Sequence, residues 1–412
     1  MTVPAIEPVA RHGLHRAEYI GLASLVTATI AISIDTILPA FDEIEATYSL
    51  GDGDLSISLS ITVFFIALGV GNLLWGPIAD RFGRKPVMFI ALSAVAFGAV
   101  LTSFAPSFEI FLLGRVLWGL AAAGPRTIVL AITRDCYDGD AMSRIMSLTI
   151  AVFLIVPILA PSLGELLLLF GSWRLTTLAA AALALVGMAW FSRISETLEP
   201  SNTLPLEFGR VASAAKAVVT TRETALFTLA AMMTYASFFP WLGSSPALIG
   251  DIYGRDSTFA LIFGANAILM AIGILLIERL VRRYSTFPVV QAQTVGLVVV
   301  AAIYVIVALA TGGVPPFLVW FVLASLLLTL NSSSSPLFQS MAMEPMKAIA
   351  GTAASVTGSI VFIGGAILGS IIDRSIDTTV TPFGVGFLVY GSVIAISTLA
   401  ARSALKGQVA RA

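Results

Sequence analysis

Apolar runs of about twenty residues follow one another along nearly the whole chain, parted by short polar turns. A helix needs about 20 predominantly apolar residues to cross the hydrocarbon core of a bilayer. Twelve segments meet that length: 19–41, 55–79, 87–105, 109–133, 143–169, 174–192, 223–249, 257–278, 286–311, 315–340, 349–372 and 383–404. The pattern predicts an all-α membrane protein with twelve transmembrane helices. One connection is long: residues 193–222, with ISETLEPSNTLPLEFGR, are rich in Pro, Ser and charge and fall at the midpoint of the chain. They read as a cytoplasmic linker between two six-helix halves, 19–192 and 223–404, with tails at 1–18 and 405–412.

Composition agrees. Of 412 residues, 58% are hydrophobic and 11% charged, against about 25% charged in soluble domains. A net charge of −1 argues against a nucleic-acid binder. The single cysteine, Cys136, excludes an intramolecular disulfide, and with His12 and His15 it makes no metal set; no metal or cofactor is expected. The polar, basic start, MTVPAIEPVARHGLHRAEYI, leads into a full-length span without a small-residue cleavage site, so it reads as a retained tail.

Orientation follows from Lys and Arg, which collect on the cytoplasmic side. With both termini inside, 18 of the 23 fall there, while Arg174, Arg255 and Arg374 lie outside and Arg115 and Arg126 lie within a span. Asp42, Glu43, Glu45, Asp52 and Asp54 crowd the first external loop. The halves also match each other. Aligning Asp80 with Glu278 places Arg81 on Arg279, Arg84 on Arg282 and Lys85 on Arg283, each cluster following the second helix of its half. Transporters are often built from such repeats, with the substrate site at the midplane between them.

The loop GPIADRFGRKP, with Gly76, Asp80, Arg81, Gly83, Arg84 and Lys85, resembles the signature of the major facilitator superfamily between helices 2 and 3. SIDTILPAF in helix 1, GRVLWGLAAAGPRTIVLAITRDCYDG in helix 4 and VPILAPSLGELLLLFGSWR in helix 5 are similar to the Bcr/CflA group of drug:proton antiporters. Trp118 stands where the helix 4 motif usually has Gln, Ala160 precedes Pro161, and Glu165 follows Gly164 where paired glycines are usual. The resemblance implies the major facilitator fold, in a bacterial inner membrane, with both termini cytoplasmic. It also implies that the signature loop is a conformational latch, its aspartate bonding to arginine and to a helix terminus when the transporter is open outward. The same loop fixes topology by its positive charge, and Gly71 and Gly76 are expected to let helix 2 approach a helix of the other half.

Ionisable groups at bilayer depth are costly and mark function. Here they are Asp35, Arg115, Arg126 and Glu165. Asp35 and Arg115 each lie about six residues, or about 9 Å, from the outer ends of helices 1 and 4, so they are expected to pair directly or through Tyr or water. Burial raises a carboxylate's pKa and a guanidinium lowers it, so a conformational change at this pair would switch proton affinity. Asp35 is the expected proton carrier, and the resemblance agrees, since family members often carry an essential acid in helix 1. A permanent structural pair between helices 1 and 4 is the alternative. Arg126, about 20° from Arg115 around the helix and about 16 Å along it, is expected in the central cavity. Glu165 reads as a second coupling or substrate residue, or as a group that snorkels to the outer interface.

The second half offers neutral groups: Tyr235, Ser237 and Trp241 in helix 7, Asn266 in helix 8, Asn331 through Ser335 with Gln339 in helix 10, and Thr352, Ser355 and Thr357 in helix 11. Trp118, Tyr235, Trp241, Asn331 and Gln339 join Arg126 as expected cavity residues; many of the hydroxyls can instead bond back to their own helix. The expected activity is export of small amphipathic compounds in exchange for protons, by a monomer alternating its access. No ATP-binding motif of the Gly-x-x-x-x-Gly-Lys-Ser/Thr type is present, so an ion gradient supplies the energy. A dedicated transporter for one polar or charged metabolite is the first alternative, and a non-transporting membrane sensor or scaffold the second. No clustered nucleophile, base or metal set points to an enzyme.

Overall fold

The computed structural model describes residues 11–50, 56–199, 201 and 208–409. Fourteen α-helices are found among them. The first seven are α1 (Arg16–Asp35), α2 (Phe41–Tyr48), α3 (Leu59–Phe82), α4 (Arg84–Ser103), α5 (Phe108–Cys136), α6 (Gly139–Phe170) and α7 (Arg174–Phe191). The others are α8 (Phe208–Thr220), α9 (Arg222–Pro246), α10 (Phe259–Tyr284), α11 (Thr286–Ala310), α12 (Phe317–Met343), α13 (Ala350–Asp373) and α14 (Thr381–Val409). Apart from α2, with 8 residues, and α8, with 13, they range from the 18 residues of α7 to the 32 of α6. Among the described residues, ten apolar runs are long enough to cross a membrane; one, Phe317–Asp373, holds both α12 and α13, and α6 adds the shorter piece Ile155–Phe170.

The two short helices lie in the acidic first loop and in the linker. α8 is amphipathic: Ala214 and Val218 pack against Met346, Ala353 and Val356, with Leu73 of α3 beside them. Between α3 and α4 the chain turns within one residue. Gly83 does this at φ +98°, a conformation that side chains rarely adopt.

The long helices pack as two sets. In the first, α1 lies on α6 and α7, α5 lies on α3 and α4, and α4 lies on α7. In the second, α9 lies on α12, α13 and α14, α10 lies on α12, and α11 lies on α12 and α14. The sets meet chiefly along α3–α13 and α6–α10. These seams are equivalent under the internal repeat, since each joins the second long helix of one set to the fifth of the other. Gly69 sits in the first seam, where an added Cβ would stand 2.7 Å from Ile363, and Ser359 Oγ donates to its carbonyl at 2.6 Å. Gly71 does not make the approach expected of it: its open side faces Leu120 O and Ala123 of α5, in its own set. Large apolar side chains cover the outside of the bundle, Leu169, Leu261 and Leu318 being 82%, 73% and 70% exposed. Such a surface suits hydrocarbon rather than water.

Candidate functional site

Arg115 is fully buried where α1, α3 and α5 meet. Its Nη1 donates to Ser33 O at 2.8 Å and its Nε reaches Ser60 O at 3.4 Å, while Nη2 has no partner. The guanidinium lies 4.5 Å from the ring centre of Phe64 and 5.1 Å from that of Trp118. Ser33 belongs to the last turn of α1, whose carbonyls lack helical donors, so the cation caps that helix end. Asp35, two residues further, is 4% exposed, and its carboxylate forms no hydrogen bond or ion pair among the described residues. Asp35 and Arg115 form no direct ion pair among the described residues: backbone carbonyls take Nη1 and Nε, and Nη2 stays unpartnered.

Glu165 joins the two sets. Its Oε1 accepts the backbone N–H of Ala260 at 3.0 Å, in the first turn of α10. A carboxylate suits a helix N-terminus, where unpaired N–H groups and the helix dipole both favour negative charge. One turn deeper the helices touch again: a Cβ on Gly264 would lie 3.2 Å from Ile158 O. This closes α6 against α10 at the end of the bundle that carries Asp42, Glu43 and Glu45, here the acidic end. Beside it lies a cleft of about 510 Å³ lined by Leu38, Asp42, Glu165, Pro246, Asp256 and Phe259, among others.

The expected cavity residues are placed differently from one another. Trp118 is buried against Gly98, and Trp241 is buried with its ring centre 5.5 Å from that of Phe263. Asn331 is buried and donates to Thr234 O at 2.9 Å, leaving its own oxygen without a partner. Arg126 and Gln339 are exposed. Tyr235 stands in an aromatic group that sequence reasoning missed: Phe65 stacks on Phe239 at 4.0 Å, and Phe362 lies 5.0 Å from Tyr235. These rings come from α3, α9 and α13, so the group spans the seam. Single phenylalanines inside apolar runs give no signal of this kind in a sequence.

At the other, basic end the signature loop is tied down within the first set. Arg84 Nη1 lies 2.5 Å from Asp80 Oδ1, and its Nε lies 3.0 Å from Asp135 Oδ2. Arg81 is exposed, and Gly76 keeps open space, since an added Cβ would be 4.0 Å from Ser355 Oγ. Glu196, just beyond α7, receives the N–H groups of Arg84 (2.9 Å) and Lys85 (3.0 Å) and caps α4. Burial pushes the Glu196 carboxyl up, but the N–H groups of Leu198, Lys85, Arg84 and Thr197 outweigh it and hold its pKa below the ordinary value. Lys85 Nζ donates to Ser192 O at 2.9 Å. The helix terminus at this loop is thus held by Glu196, a residue that sequence reading left in the linker.

His12 completes this end. Leu14 N–H donates to its Nδ1 at 3.2 Å, so Nε2 carries the proton towards Tyr137 Oη at 2.7 Å, and the ring stacks on Tyr19 at 4.3 Å. Burial lowers its pKa from 6.5. The folded state therefore favours the neutral ring: the stabilisation is complete above 6.5 and is lost as pH falls through the lowered folded value. Acidifying from about pH 7.5 to about 5 is expected to lower the hydrogen-exchange protection factors of residues 12–15, measured against the intrinsic exchange rate at each pH. In His12→Asn that pH dependence should vanish; its survival would assign the change to another group.

A family model described as Major Facilitator Superfamily matches residues 23–369, and the chain belongs to that superfamily. The bicyclomycin resistance protein homolog of Haemophilus influenzae is 26% identical over 377 residues, covering 90% of this chain and 93% of that protein. Multidrug resistance protein MdtL of Salmonella paratyphi B is 29% identical over 225 residues, covering 54% and 55%. Among solved structures, a D-xylose-proton symporter superposes with a TM-score of 0.76 at 13% identity, over 93% of this chain and 96% of that one. It shares the fold.

Proposed function

We propose that this protein is a proton-coupled exporter of small amphipathic compounds, working by alternating access. The observation that carries the reading is Asp35: a buried carboxylate in a membrane helix, with no hydrogen-bond or ionic partner among the described residues. Such a group exchanges a proton whenever its solvation changes. The near full-length similarity to a bicyclomycin resistance protein homolog and the aromatic group at the seam favour amphipathic compounds over sugars or ions.

In this cycle a proton from outside neutralises Asp35, the two halves, 19–192 and 223–404, rock to face inward, and compound binding from the cytoplasm favours proton release. Arg115 holds the end of α1 and sets the electrostatic surroundings of Asp35. Glu165 clasps the outer end of α6 to α10, and the signature loop with Glu196 is the inner latch. Arg126 and Gln339, both exposed, contact the compound as it enters from the cytoplasm. Both termini are cytoplasmic, and the protein works as a monomer in a bacterial inner membrane. The exposed charge of Arg126 supports a second reading, a dedicated transporter of one anionic or polar metabolite.

Inside-out membrane vesicles with an acidic interior, followed by a pH-sensitive dye, test this. Cationic, zwitterionic, neutral and anionic compounds are added in turn to wild type and Asp35→Asn. Proton leakage triggered by an amphipathic compound, in wild type alone, is the expected outcome. A response confined to one small anionic or polar solute would favour the metabolite carrier, and no response to any compound would refute the antiport reading.

A further inference from the structure

Asp373 is the last residue of α13, one position beyond the apolar span 349–372, and it is buried. Ser244 Oγ of α9 donates to its Oδ1. The carboxylate is let in by Gly243, where an added Cβ would lie 2.5 Å from Oδ1 and 3.0 Å from Cγ. On its other side is a void of about 10 Å³, enclosed also by Ser58, Thr62 and Phe65 of the first set. An acid of one set is therefore sealed against α3 of the other. Among the described residues, the charge that acts on it is that of Arg374, its exposed neighbour in sequence. α9 and α3 present to it hydroxyls: those of Ser244, Ser58 and Thr62.

We propose that Asp373 is a second proton-coupling residue: protonated, it keeps the α3–α13 seam shut at the acidic end, and ionised, it favours opening. The assignment rests on the antiport reading. An ionised carboxylate accepts about four hydrogen bonds, and the closed site offers it two hydroxyls, Ser244 and the more weakly engaged Ser58. Moving α3 away from α9 and α13 admits water and completes that shell, so opening and ionisation favour each other. The coupling is reciprocal: acid shifts the seam to closed and alkali to open. Because the acidic end faces outward in the proposed orientation, Asp373 reads the external pH, while Asp35 carries the transported proton.

The test uses spin labels at Ala46→Cys, in α2, and Ser375→Cys, just beyond α13, in a Cys136→Ser background with the full chain in lipid nanodiscs. Asp35→Asn is included throughout, so that Asp35 does not titrate. Distances between the labels are measured by pulsed electron resonance from pH 5 to 9. The long-distance population is expected to grow with pH, by up to about tenfold per unit through the midpoint. Asp373→Asn keeps the Ser244 contact and should hold the short distance at every pH. Ser244→Ala removes a donor to the ionised form and should raise the midpoint by about one unit. An unchanged titration in Asp373→Asn overturns the proposal. So does an unmoved midpoint in Ser244→Ala, which decides the matter if Asp373→Asn does not fold. The vesicle assay is independent: a silent wild type there removes the antiport role, while a seam that does not titrate removes the gate alone.

Discussion

Asp35→Asn is expected to abolish uphill export while leaving a folded transporter that still equilibrates its compound. The substitution keeps the shape of the side chain and deletes the exchangeable proton. For an uncharged compound exchanged for one proton, each 100 mV of membrane potential supplies about 2.3 kcal/mol, enough for about a 50-fold concentration ratio. Without the proton that ratio should fall to one. Stability should not suffer, because Asp35 gives up no hydrogen bond or ion pair among the described residues, and an uncompensated buried charge costs several kcal/mol. Accumulation ratios in proteoliposomes under an imposed gradient, together with thermal unfolding, check both parts. Wild-type accumulation by Asp35→Asn would remove Asp35 from the coupling step.

Much of this architecture is legible in the sequence because bilayer thickness fixes helix length. The apolar run 349–372 and the observed α13, Ala350–Asp373, differ by one residue at each end. That small difference hid Asp373, which counts as a loop charge by hydropathy and as a buried one once α9 is folded against it. Exposure along a span is harder to read, since a helix bounded by lipid has no polar face to mark its outside. Hence Gly71, expected at the seam, faces α5, and Gly69 takes its place. Trp241, expected in the cavity, stacks on Phe263. Charged residues could be found, but their partners could not. Arg115 turned to the carbonyls of Ser33 and Ser60, and Glu196 came from a linker to cap α4. Backbone acceptors are the same at every position, so a sequence cannot say which one a long side chain will reach.

Arg115→Met is expected to cost stability first and coupling second. Methionine fills much of the volume but removes the charge-assisted bond to Ser33 O, worth about 1.5–3 kcal/mol, and the contacts over Phe64 and Trp118, worth up to about 2 kcal/mol where water is excluded. A loss of about 3–4 kcal/mol is expected, seen as a lower unfolding temperature and a smaller monodisperse fraction in detergent. Arg115→Lys should recover part of this, since an ammonium can still reach a carbonyl but lacks the planar group that stacks on the rings. The comparison with Arg126→Ala separates two kinds of intramembrane arginine. Arg126 is exposed and makes no ion pair among the described residues, so its removal should leave unfolding within about 0.5 kcal/mol of wild type and act on compound affinity instead. If Arg115→Met unfolds like wild type yet shifts the pH profile of transport, the guanidinium is a partner of Asp35 in another conformation rather than the cap of α1. If it destabilises and the surviving protein keeps its pH profile, Asp35 works alone, and the cation beside it is there to hold the helix that carries it.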